Sequence, residues 1–186
     1  MEKNNKLNTA KIVAMKMAER KNQPAMTDGK RKGGLVIIDQ KPPVADNTTL
    51  MLYTVKLRAV DEGQPTAYFS LGTPNVDVVN QLIAITTGID HEKIVNGNLT
   101  DDEWALVDEK LPMLIDAPLY VDDTPEMTLA EVKGKMIDLI GKGVKFVVID
   151  HAQKLTTDNK DTDAILSDIN ESAKTLGYTV IAVVDL

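Results

Sequence analysis

From residue 33 onward, short β-rich apolar runs alternate with longer segments at helical spacing. This alternation restricts the chain to an α/β layer fold on a largely parallel sheet. Five runs carry the strands, over residues 35–38, 66–71, 119–121, 146–149 and 180–184. The first, Leu35-Val36-Ile37-Ile38, is apolar on both faces, as a central parallel strand requires. Between the runs, 48–61, 75–87, 101–115, 128–141 and 161–176 read as helices. Thr128 with Glu131, and Thr100 with Glu103, have the spacing of capping boxes. Gly63, Gly88, Gly141, Gly143 and Gly177 fall near the expected helix ends, where a left-handed residue is cheapest.

Residues 1–32 read differently from residues 33–186, and the two are expected to be separate parts. Ala10, Val13, Ala14, Met17 and Ala18 share one face of a helix over 8–20, with Lys11, Lys16, Glu19 and Arg20 on the rest. Residues 21–32 hold Pro24, Gly29 and a basic cluster at Lys30, Arg31 and Lys32, and read as a solvated linker.

Composition removes chemistries more readily than it proposes them. The absence of Cys excludes disulfides, thiol catalysis and Cys-ligated zinc, and two His, His91 and His151, cannot make a His-rich metal site alone. The net charge of −7 and an aromatic content of 4% argue against a broad phosphate-binding face or a base-stacking platform. No apolar run approaches the roughly 18 residues of a membrane span, and the first residues lack a signal-peptide apolar stretch. The expected location is cytoplasmic, with no membrane partner.

In open α/β sheets, ligands bind beyond the carboxyl ends of the strands. After the first run comes Asp39-Gln40-Lys41-Pro42-Pro43-Val44-Ala45-Asp46-Asn47, and then a helix. A phosphate-cradling loop needs Gly at each end, a Lys for the β/γ-phosphates and a hydroxyl for Mg²⁺. This loop has the length and position but other residues.

The blocks GGLVIIDQKPPVADNTTLML, AYFSLGTP, GIDHEKIVNGNLTDDEW, DAPLYVDDTPEMTLAEVKGK, FVVIDHAQKL and VIAVVDL together resemble the carboxy-terminal motor domain of the DnaB-type replicative helicases. The resemblance covers about residues 33 to 186. It implies a RecA-like fold of the P-loop NTPase superfamily, with a mostly parallel five-stranded sheet, a leading helix, and a DNA replication context. Family members place Gly, Gly, Lys and Ser/Thr where this chain has Gln40, Ala45, Asp46 and Asn47, with Lys41 the one cation of the loop. Asp46 in place of Lys reverses a charge beside the expected triphosphate. Opposite charges about 4 Å apart are worth roughly 4 kcal/mol at an effective dielectric near 20, so the reversal is large.

The same carry-over puts Gly72 where the family has the Glu that activates water, and Asp185 where it has the sensor Gln. Asp150 keeps the Walker-B position, which holds Mg²⁺ through water. The family also implies a hairpin region beyond the last strand with an Arg finger, expected here to be missing. The family's DNA-contacting stretch corresponds to 154–163, which has two Lys and three Asp and is a poor phosphate tracker.

The expectation is a catalytically inactive relative with no cofactor, acting through protein contacts or self-association through residues 8–20. The alternatives are a helicase subunit using Mg-ATP at sites completed by partners, and a binder of a small anion at the altered loop. For the remaining polar and aromatic residues the expected roles are structural. Asp150 caps a helix or faces water, Asp122, Asp123 and Glu126 form a turn before a helix, His151 is packed, and Trp104 anchors its helix.

Overall fold

A computed structural model describes residues 33–39, 47–157 and 161–184. The chain divides into two units, Met1–Arg31 and Lys32–Leu186, and the described residues all lie in the second. The helix expected over 8–20, the linker over 21–32, and positions Gln40, Lys41, Ala45, Asp46 and Asp185 fall outside the described residues.

Five strands form one parallel sheet: β1 (Gly34–Asp39), β2 (Thr66–Ser70), β3 (Leu119–Asp122), β4 (Phe146–Asp150) and β5 (Thr179–Val184), in the order β1-β5-β4-β2-β3. Successive side chains leave a strand on opposite faces, so each strand feeds two cores. Val147 and Ile149 of β4, Val180 and Ala182 of β5, and Ala67 and Phe69 of β2 pack on one side, beneath α5 (Leu129–Ile140) and α6 (Thr162–Leu176). Phe146 and Val148, Val183, and Tyr68 pack on the other, beneath α1 (Asn47–Val55) and α2 (Asn75–Thr87). This two-sided burial is why β2, β4 and β5 read as continuous apolar runs.

Both capping boxes form as the spacing predicts. Thr100 starts α4 (Asp101–Ile115) and Thr128 starts α5, each side chain accepting the N–H of the Glu three residues on. Gly88 and Gly177 close α2 and α6 in the left-handed conformation, and Gly63 and Gly143 adopt positive φ as well.

Four expectations are corrected. The first run is at the sheet edge among the described residues, not at its centre; Val36 and Ile37 are 52% and 49% exposed. Hydrophobic periodicity reports which faces are apolar and cannot report how many neighbours a strand has. The segment 48–61 is not one α-helix, because α1 passes into a π-helical stretch, Lys56–Asp61, whose ends are joined by an ion pair at the i,i+5 spacing of that turn. Gly141 keeps right-handed helical angles, and the left-handed turn falls two residues later at Gly143. Trp104 is 46% exposed, so it sits at the edge of the buried face of α4 rather than inside the core as its anchor.

A short helix, α3 (His91–Asn96), is absent from the sequence reading. It has no buried residue and is bounded by Asp90, which caps Glu92 N–H, and by left-handed Gly97.

Candidate functional site

The carboxyl ends of β2 and β4 and the start of α1 meet at Asp150. Pairing of Ser70 with Asp150 in the parallel register puts Asp150 on the same sheet face as Tyr68, the face that α1 covers. Its side chain is completely buried. The Thr48 hydroxyl on α1 and the Tyr68 hydroxyl on β2 both donate to Asp150 Oδ2, each at 2.8 Å. Burying a carboxyl group is costly unless its oxygens are bonded, and two hydroxyls on one oxygen meet part of that cost.

The second oxygen, Oδ1, has no hydrogen-bond partner among the described residues. It lies 3.3 Å from His151 Nδ1, within ion-pairing distance but not aligned as a hydrogen bond. His151 adopts a left-handed conformation, φ 58° and ψ 49°, at the head of a 3₁₀ turn, Ala152–Lys154. Its ring rests on Gly72: a Cβ built at 72 would be 2.7 Å from Nδ1. The Leu71 N–H donates to the Asp150 carbonyl, which fixes the ends of β2 and β4 together.

Of the sequence-predicted positions, the structure therefore brings Gly72, Asp150 and His151 together, with Asn47 adjacent in the chain to Thr48. Asn47 is buried, and its Nδ2 has no partner among the described residues. Asp150 does not face water, and it accepts a hydroxyl from Thr48, the second residue of α1, rather than a backbone amide.

Asp122, Asp123 and Glu126 form a structural turn, as expected. Asp122 takes the Lys135 ammonium and the Thr124 hydroxyl, Asp123 Oδ2 accepts the Asn75 N–H at the start of α2, and Glu126 turns the chain with φ 51°. Burial pushes the Asp122 carboxyl up, but the bonds from Lys135 and Thr124 outweigh it and leave it below its ordinary value of 3.8.

Thr48 and Tyr68 were not foreseen as partners of Asp150. Tyr68 carried a signal: a Tyr in the middle of a buried apolar run needs somewhere to place its hydroxyl.

An Mg²⁺-bound nucleotide needs a metal-side carboxylate oxygen with room for water. Here Oδ2 is committed to two hydroxyls and Oδ1 lies under His151 with no solvent exposure of the residue. Among the described residues, no group of three His, Asp or Glu is placed to hold a metal ion, and no helix is long and apolar enough to cross a membrane.

A parallel five-stranded sheet with helices on both faces, and a carboxylate at the end of β4 beside the start of α1, defines the RecA-like α/β class. Solved structures agree on the fold. One solved ATPase domain superposes with a TM-score of 0.72 at 16% identity, covering 96% of this chain and 70% of that one. A DnaB-like replicative helicase, solved for its interactions with primase, gives 0.69 at 19% identity, covering 84% and 39%. The model of the DnaB-like helicase C terminal domain family matches residues 19–186, and the chain belongs to that family.

Among relatives, the replicative DNA helicase DnaB of Leifsonia xyli subsp. xyli (strain CTCB07) is 28% identical over 152 residues, 81% of this chain and 33% of that protein. The replicative DNA helicase DnaC of Bacillus subtilis (strain 168) is 24% identical over the same shares. The chain thus spans about a third of the length of these relatives.

Proposed function

We propose that this chain is a motor-domain relative that neither binds nor hydrolyses Mg-ATP and acts as an interaction module in DNA replication. The carrying observation is Asp150: its buried carboxyl group joins α1, β2 and β4 through Thr48 and Tyr68. In this reading the family's metal-side acid has become a structural acceptor. The replacements at Gln40, Ala45, Asp46, Asn47, Gly72 and Asp185 support it, since they remove the cation, the hydroxyl, the general base and the sensor. No phosphoryl-transfer step remains for the other residues to position.

The test is to follow melting temperature while titrating ATP, ADP and Mg²⁺. A ligand that binds only the native state adds about 2.7 kcal/mol of stability at 100 times its dissociation constant. No shift is expected. An Mg²⁺-dependent rise overturns the reading in favour of a helicase subunit.

The partner in this reading is protein. Residues 90–116 carry eight acidic side chains against two lysines, six of the seven net negative charges. The same stretch exposes Val95, Trp104, Met113 and Ile115. Acidic residues with Trp104 and Ile115 exposed on one side of α4 suit a basic amphipathic helix, and residues 8–20 of a second copy read as one from sequence, with Lys11, Lys16 and Arg20 against Glu19. The acid excess argues against a grip on DNA. Light scattering on the full chain and its K11E/K16E variant tests self-association, the expected result being a larger mass for the unaltered chain. One structural relative was solved for its interactions with primase, which makes a primase the first other partner to try.

One observation favours a second reading. Asn47 Nδ2 is a buried donor without a partner among the described residues, at the first position of α1, where helix amides favour an anion. Stabilisation by inorganic phosphate without Mg²⁺, lost in N47A, would select this reading.

A further inference from the structure

The chain leaves β4 through His151, whose left-handed backbone disfavours any residue with a Cβ. That backbone is held from both sides. The His151 carbonyl accepts the Lys154 N–H at 2.8 Å, Ala152 after it is fully buried, and the Asp150 carbonyl before it accepts the Leu71 N–H. So fixed, the imidazole turns back over Gly72.

A Cβ at position 72 would meet Nδ1 at 2.7 Å, Cγ at 3.0 Å and Cε1 at 3.1 Å. Real Cβ atoms essentially never approach a neighbour within 3.0 Å. Cγ is the ring's root, so the ring clears a Cβ only by leaving its rotamer. The backbone of Gly72 does not have positive φ, so the imidazole, not the chain's conformation, is what demands glycine there. The same ring places Nδ1 3.3 Å from Asp150 Oδ1, the oxygen that the two hydroxyls leave over.

We propose that His151 is an internal plug: its ring fills the space that any side chain at position 72 would need and covers the remaining oxygen of Asp150, so that positions 72 and 151 are one coupled unit. An acidic side chain cannot return to position 72 while His151 keeps this rotamer. The proposal concerns packing and stands whether or not a nucleotide binds.

A double-mutant cycle in the full chain tests it, with Gly72→Ala, His151→Gly and both together, read by urea unfolding. Glycine at 151 suits the left-handed backbone and removes the ring. Gly72→Ala is expected to lower the folding constant at least about tenfold alone and less than about threefold when His151 is Gly. Imidazole NMR gives an independent local readout, because the chain has two histidines and His91 serves as the control. Gly72→Ala must move the His151 ring signals and leave those of His91 in place. Equal penalties in both backgrounds, failure of the double variant to fold alongside Gly72→Ala, or unmoved His151 signals would each overturn the plug.

Discussion

Two carboxyl groups end the strands on either side of β2, and they live under opposite rules. Asp122 of β3 is in register with Phe69, whereas Asp150 of β4 is in register with Ser70. That offset of one residue sends the two side chains to opposite faces of the sheet. Asp122 goes to the α5 side, partly exposed, where Lys135 supplies a cation. Asp150 goes to the α1 side, wholly buried, where hydroxyls do the bonding. The first is an electrostatic contact that solvent and pH can reach. The second is a packing joint whose worth lies in matching buried donors to a buried acceptor.

The largest effect is expected at the buried joint. Asp150→Ala takes away the acceptor that the Thr48 and Tyr68 hydroxyls share. Each hydroxyl then loses one buried bond, worth about 1–1.5 kcal/mol, so a loss of about 2–3 kcal/mol in urea unfolding should follow. Asp150→Asn keeps an oxygen in place and should stay within about 1 kcal/mol of the unaltered chain, since a neutral acceptor still serves both hydroxyls. Equal losses for the two would break the comparison, because the joint would then depend on charge. Tyr68→Phe removes one donor and leaves Thr48, for about 1 kcal/mol.

Smaller effects belong to the exposed side. Asp122→Asn should cost less than about 1 kcal/mol and the cost should shrink as salt rises, whereas that of Asp150→Ala should not. Its pH dependence has a definite sign. The folded Asp122 carboxyl lies below its ordinary value of 3.8, so the unfolded chain takes up the proton first as pH falls. The stabilisation is therefore complete above about pH 4 and is lost as pH drops through the folded value. Glu103, held down by Lys93 and the Thr100 cap, and Glu131, held down by Thr128, follow the same sign. Urea midpoints between about pH 5 and pH 2 should fall less steeply for Asp122→Asn than for the unaltered chain.

What could be read from sequence follows the range of the interaction. Strands and capping boxes were legible because their signals are local: apolar runs for β2, β4 and β5, and Thr–Glu pairs three residues apart for α4 and α5. The edge position of β1 was not, because Val36 and Ile37 look the same with one neighbour or two. The six-residue α3 has no apolar stripe, and only Asp90 and Gly97 marked its ends. At the site, Asp150, Gly72 and Asn47 were found through family resemblance. The partners Thr48 and Tyr68 lie 102 and 82 residues away in the chain, where no local pattern reaches. His151 was expected to be packed, but a sequence cannot show that its ring rests on Gly72.

The central claim is that the chain makes no use of Mg-ATP, and isothermal titration of the full chain with ATP, with and without Mg²⁺, tests it most directly. The account predicts no saturable heat in either case, for the unaltered chain and for Asp150→Asn alike. Saturable binding that requires Mg²⁺ and disappears in Asp150→Asn would contradict it, since Asp150 would then be serving a metal rather than two hydroxyls.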